Sequence, residues 1–137
     1  MKAYIILCFV LVSGCAMEPE GDYRLKIVNN TAYQFFVDYN VEGIPQYPSV
    51  IDIDNCFDHP VKINDTVRIL EYTSKPWPQF FKRSKNDKLN LFIYNLDSLK
   101  RYNSIDTLIK KKIYKKLEYS QQELERLEWI VVVDNKN

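Results

Sequence analysis

From Asp22 onward, the dominant spacing between apolar residues is two. YRLKIVNN (23–30) alternates around Leu25 and Ile27, and NNT then marks a turn. AYQFFVDYNV (32–41) places Tyr33, Phe35, Val37, Tyr39 and Val41 on one face, with Gln34, Asp38 and Asn40 on the other. Alternation of this kind marks a half-buried strand, and two such runs joined by a short polar turn predict a hairpin. TVRILEY (66–72) and KLNLFIYN (88–95) predict two more strands, rich in residues that suit a pleated surface. IYKKLEYS (113–120) alternates weakly, and WIVVV (129–133) is wholly apolar. Residues 42–60 hold Gly43, Pro45, Pro48 and Pro60, so they predict a long connection with at most a short strand at 49–53.

Helical signals are short and late. Ser120-Gln121-Gln122-Glu123 is a capping box, in which serine and glutamate satisfy each other's terminal backbone amides. Leu124 and Leu127 then form one apolar stripe before Trp129, which is expected to be buried against the Tyr33/Phe35 face. Segments 96–101 and 104–111 each predict a turn or two of helix. The pattern therefore predicts a mainly β fold. It is a small antiparallel β-sandwich of roughly six to eight strands with short helices in its C-terminal half.

The N-terminus follows a different pattern. Lys2 precedes ten residues dominated by apolar side chains, Ala3 to Val12. A helix needs about 20 apolar residues to cross a bilayer, so the run reads as a secretory signal. Its last four residues, Val12-Ser13-Gly14-Cys15, resemble the lipobox of bacterial lipoproteins. That resemblance implies a diacylglyceryl group on the Cys15 thiol, cleavage before Cys15, and acylation of the new amine. It divides the chain into a signal peptide (1–14), a lipidated N-terminus and linker (15–22), and one β-rich domain (23–137). One acyl chain binds membranes only marginally, whereas several hold stably. The linker carries Pro19, Gly21 and the acids Glu18, Glu20 and Asp22, which suits a solvated tether. Ala16 follows the cysteine where an aspartate would signal inner-membrane retention in that family, so the outer membrane is expected, on its periplasmic face or at the cell surface.

The charge balance narrows the partners. The signal holds one of the 19 basic residues and none of the 18 acidic ones, leaving 18 of each in residues 15–137. A neutral chain offers no electrostatic case for nucleic acid. With Cys8 in the signal and Cys15 lipidated, Cys56 is the remaining thiol, so hydrophobic packing holds the domain without an internal disulfide.

A second resemblance covers Leu89 to Val133. LNLFIYNLDSLKRYN (89–103) and IYKKLEYSQQELERLEW (113–129) are similar to a pattern in small lipoproteins of Gram-negative gut anaerobes. Asp97, Leu99, Tyr102, Leu117, Tyr119, Ser120, Leu124, Leu127 and Trp129 stand at the matching positions, with PWPQFF (76–81) as a further piece. That family has no established activity, so the resemblance implies an exported lipoprotein and no mechanism.

Candidate chemistry is sparse. His59 is the single histidine, and Cys56 lies three residues before it, too close along a loop to present both side chains to one substrate. No pair of carboxylates stands out for glycoside hydrolysis. Asp52, Asp54 and Asp58 imitate the start of a calcium loop, but Phe57 occupies the turn that needs glycine, and turn formation is the simpler reading. Cys56, flanked by turn formers, is expected to be a semi-buried and sluggish thiol. No cofactor is implied. Tyr72, Trp77, Phe80 and Phe81 form an aromatic group that could stack on a glycan or peptide, or plug one end of the sheets as core. Lys110, Lys111, Lys112, Lys115 and Lys116 could meet anionic headgroups or shield an edge strand. The sequence thus predicts a protein tied to the membrane through Cys15 and acting as an interaction or structural module, without catalysis. The alternative is a glycan- or peptide-binding accessory working through the patch around Trp77. In either case the partner would be an envelope protein or glycan.

Overall fold

The computed structural model describes residues 21–71 and 76–135. Cys15, the expected lipid site, and Tyr72 of the aromatic group lie outside the described residues. The chain opens with β1 (Asp22–Asn30) and β2 (Phe35–Asn40), followed by α1 (Ile53–Asp58), β3 (Thr66–Glu71) and α2 (Pro76–Arg83). β4 (Lys88–Asn95) runs directly into α3 (Leu96–Tyr102), and α4 (Ile105–Lys110), β5 (Lys115–Ser120), α5 (Gln121–Arg126) and β6 (Ile130–Asp134) complete it. The strands form two three-stranded sheets, ordered β3-β1-β6 and β2-β4-β5.

The fold is β-rich but mixed α/β, which corrects the expectation of a mainly β antiparallel sandwich with helices only in its C-terminal half. Two causes are visible. First, α1 and α2 lie before residue 84, and each presents apolar residues at helical spacing: Ile53, Cys56 and Phe57, then Trp77, Phe80 and Phe81. Second, β6 pairs parallel to β1, from Lys26 opposite Ile130 to Asn30 opposite Asp134, while β3 lies antiparallel on the other side. Parallel neighbours cannot be joined by a tight turn, and the chain reaches β6 from the other sheet through α5.

The predicted hairpin between the first two strands does not form, because β1 and β2 belong to different sheets. The buried Asn29 explains the parting. Its amide donates to the carbonyls of Tyr33 (2.9 Å) and Val61 (3.0 Å), and its side-chain oxygen accepts from the Thr31 N–H (2.9 Å) and hydroxyl (2.7 Å). These bonds fix a corner where a hairpin ladder would otherwise continue.

One core lies between inner faces of both sheets. Leu25 and Ile27 of β1 and Val131 and Val133 of β6 meet Leu89, Leu91 and Ile93 of β4, with α2, Leu124 and Trp129 closing the cluster. A second core lies on the opposite side of β4, where Phe92 and Tyr94 pack against Cys56, Leu99, Ile105 and Leu108 from α1, α3 and α4. β4 is buried from Leu89 to Tyr94 without interruption, as expected for a strand covered on both faces. The capping box at α5 forms as the sequence predicts, with Ser120 N–H donating to Glu123 Oε2 at 2.7 Å. Trp129 is buried in the cluster that includes Phe35 and Tyr33, as expected, and its ring lies 5.4 Å from that of Trp77.

Candidate functional site

Trp77, Phe80 and Phe81 of the aromatic group are core. Trp77, Phe80 and Phe81 retain 0%, 2% and 7% of their accessible surface. Pro76 starts α2 without sacrificing a helix hydrogen bond, and the three rings then fall on one side of the helix, directed at β4 and Trp129. A stacking platform for sugars or peptides requires exposed ring faces. The structure withdraws all three of these rings from that role.

The acidic stretch around residue 55 is a helix rather than a loop. Asp52 caps it, its carboxylate accepting from the Asp54 N–H at 3.0 Å, so the turn-forming chemistry of aspartate starts α1 instead of closing around a cation. Asp54 and Asp58 are exposed. Among the described residues, no group of three or more His, Cys, Asp or Glu side chains could hold a metal ion. His59 forms the C-cap, exposed, with its Nδ1 3.3 Å from the Asn55 carbonyl. Cys56 is wholly buried, deeper than the semi-buried position expected from its neighbours, because it occupies the apolar stripe of α1. The structure therefore does not present Cys56 and His59 to a common substrate.

Ionisable groups gather beneath α1. Burial, reinforced by the charges of Asp38 and Asp52, pushes the Cys56 thiol up to about 11. Burial also raises Tyr94, aided by Asp38, Tyr114 and Cys56, and raises the Asp38 carboxyl. The Tyr94 hydroxyl finds no hydrogen-bond partner among the described residues. Thiol and phenol are both held protonated at neutral pH, the opposite of what a nucleophile needs.

A polar cluster that sequence reasoning did not find surrounds the buried Asn90 on β4. Its side-chain oxygen accepts from Asn86 Nδ2 at 3.0 Å, and its amide donates to Asn86 Oδ1 (3.0 Å) and to the Lys88 carbonyl (3.1 Å). Asn86 also donates to Glu118 Oε1 at 3.1 Å, and Glu118 pairs with Lys116 at 2.8 Å. The bond from Lys116 holds the Glu118 carboxyl below its usual value. The alternation of KLNLFIYN carried the signal, since Asn90 falls on the face of Phe92 and Tyr94. These groups satisfy one another, and the cluster is structural.

The lysine group divides in two. Lys115 donates to the Asp134 carbonyl at 3.0 Å and Lys116 is paired, both on the edge strand β5. Lys110, Lys111 and Lys112 are exposed at the end of α4 and enter no ion pair among the described residues. Beside them the 41–52 connection holds out Ile44, Tyr47 and Val50, which keep 68%, 51% and 78% of their surface. The Ser49 N–H donates to Asp106 Oδ1 of α4 at 2.8 Å, and Lys110 Nζ lies 5.1 Å from the centre of the Tyr47 ring. A shallow groove of about 290 Å³ runs between Ser49, Asp52, Asn103 and Asp106, but both of its carboxylates already accept backbone N–H groups. Among the described residues no helix is long and apolar enough to cross a membrane. No protein-family model, no curated protein and no solved structure matches this chain.

Proposed function

We propose that this chain is a lipid-anchored envelope protein, tethered through Cys15, whose domain serves as an interaction or structural module. The observation that carries the proposal is the order of the first 15 residues: a lysine, a ten-residue run too short to span a bilayer, and Val12-Ser13-Gly14-Cys15. The acidic composition of Glu18-Pro19-Glu20 behind the cysteine supports it as a solvated tether, while Gly21 and Asp22 of the expected linker belong to the domain, Gly21 against Leu70 and Asp22 at the start of β1. The lack of a retention aspartate after Cys15, where Ala16 stands, favours the outer membrane. The chemistry of the domain fits a module. Its thiol is protonated and buried, its histidine is exposed at a helix end, and its buried amides are mutually satisfied. The glycan- or peptide-binding alternative rested on an aromatic surface that the burial of Trp77, Phe80 and Phe81 removes, so it is not carried forward. Fractionation of the envelope tests the proposal. The protein should sediment with outer membrane and resist extraction by high salt, yet dissolve in detergent. Recovery in the soluble fraction would refute it.

A further inference from the structure

We infer that the ledge formed by Ile44, Tyr47 and Val50, together with Lys110, Lys111 and Lys112, is a docking surface for an anionic phospholipid bilayer, separate from the anchor at Cys15. The apolar side chains of Ile44, Tyr47 and Val50 keep most of their surface, and none of them lines the neighbouring groove between Ser49 and Asp106. The bond from Ser49 to Asp106 and the seating of Lys110 against the Tyr47 ring join this connection to the basic end of α4, and Asn40 Nδ2 donates to the Ile44 carbonyl at 2.7 Å. Aliphatic residues beside an amphipathic tyrosine and exposed lysines are the elements of an interfacial contact. The apolar tips enter the boundary of the acyl chains while the ammonium groups stay among the phosphates.

A polysaccharide or an acidic peptide would use the same charges. It would leave the highly exposed Ile44 and Val50 without an apolar phase, and lysine supplies point charges in place of the planar forks that specific anion recognition favours. Of the nearby acids, Glu42 is paired with Lys85, while Asp106 and Asp52 accept backbone N–H groups and keep their charge. Asp106, one turn before Lys110, offsets part of the basic surface and leaves Lys111 and Lys112 as its main charges.

The test uses the unlipidated 21–137 chain, which contains all of the described residues of both cores, so the result does not depend on Cys15. It should float with phosphatidylglycerol/phosphatidylethanolamine vesicles and not with phosphatidylcholine vesicles, and added salt should release it. Lys110→Gln/Lys111→Gln/Lys112→Gln should weaken binding by roughly tenfold or more. Ile44→Ser/Val50→Ser should weaken it independently, and both variants should melt with the parent because the altered side chains are exposed. Failure of the parent to bind anionic vesicles would overturn the inference. So would binding indifferent to both variants, or equal displacement by a soluble polyanion such as dextran sulfate with no effect of Ile44→Ser/Val50→Ser.

Discussion

Asn29 and Thr31 are bonded twice, the Asn29 side-chain oxygen accepting from the Thr31 backbone N–H at 2.9 Å and from its hydroxyl at 2.7 Å. The Thr31 hydroxyl also lies 2.8 Å from the Tyr33 carbonyl, to which Asn29 Nδ2 donates. The pair thus sits at the corner where the chain leaves one sheet for the other.

The first prediction concerns that corner. Asn29→Ala removes four hydrogen bonds in a buried setting, and orphaned buried polar groups cost about 1–3 kcal/mol each before relaxation. The urea midpoint should fall by an amount equivalent to at least about 2 kcal/mol. Asn29→Asp should be no better, because a carboxylate cannot donate to the Tyr33 and Val61 carbonyls. An unchanged midpoint for both variants would show that the corner is held by other contacts.

Trp129 tests the packing between helix and sheet. It is buried against Trp77, follows α5, and adopts φ of 61° at the entry to β6. Trp129→Ala should cost roughly 3–5 kcal/mol, a large share of the stability of a small domain. A variant melting close to the parent would place the indole outside the core.

The strands and their faces were legible in the sequence because a period of two is a local property: Leu25, Ile27, Leu89, Leu91 and Ile93 all point where the alternation sends them. The capping box was legible for the same reason, being complete within four residues. The assignment of strands to sheets was not, since the parting of β1 from β2 depends on Asn29 meeting Val61, 32 residues away. The helices α1 and α2 were readable in principle. Ile53, Cys56 and Phe57 stand at the spacing i, i+3, i+4, as do Trp77, Phe80 and Phe81. The aspartates and prolines around them favoured a loop reading, yet here they start the helices. For the candidate site, the separation of Lys110–Lys112 from Lys115 and Lys116 required the structure, because only the folded chain brings Lys115 to the Asp134 carbonyl of β6 and Lys110 to the Tyr47 ring.

The thiol gives a pH prediction. Cys56 ordinarily titrates at 9.0 and in the folded protein at about 11, a raised value. Below pH 9 both folded and unfolded chains hold the proton, and the folded state is at no disadvantage. Between 9 and 11 the unfolded chain loses it first, so stability falls with rising pH, by an amount of order 2 kcal/mol. Tyr94 adds to the loss at higher pH. Chemical denaturation from pH 8 to 11 should show this fall, and Cys56→Ala should shrink it. An identical pH profile for parent and variant would mean that the thiol ionises freely in the folded state. At neutral pH the folded protein should resist a thiol reagent that modifies it promptly in urea.

The anchor is the central claim, and one measurement addresses it directly: metabolic labelling of the full chain and its Cys15→Ser variant with an alkynyl fatty acid, read together with the mass of the mature N-terminus. The account predicts label on the parent, a mature chain beginning at Cys15, and loss of both label and normal cleavage in Cys15→Ser. Unchanged labelling of the variant, or an unmodified mature N-terminus at any other residue in the parent, would contradict it.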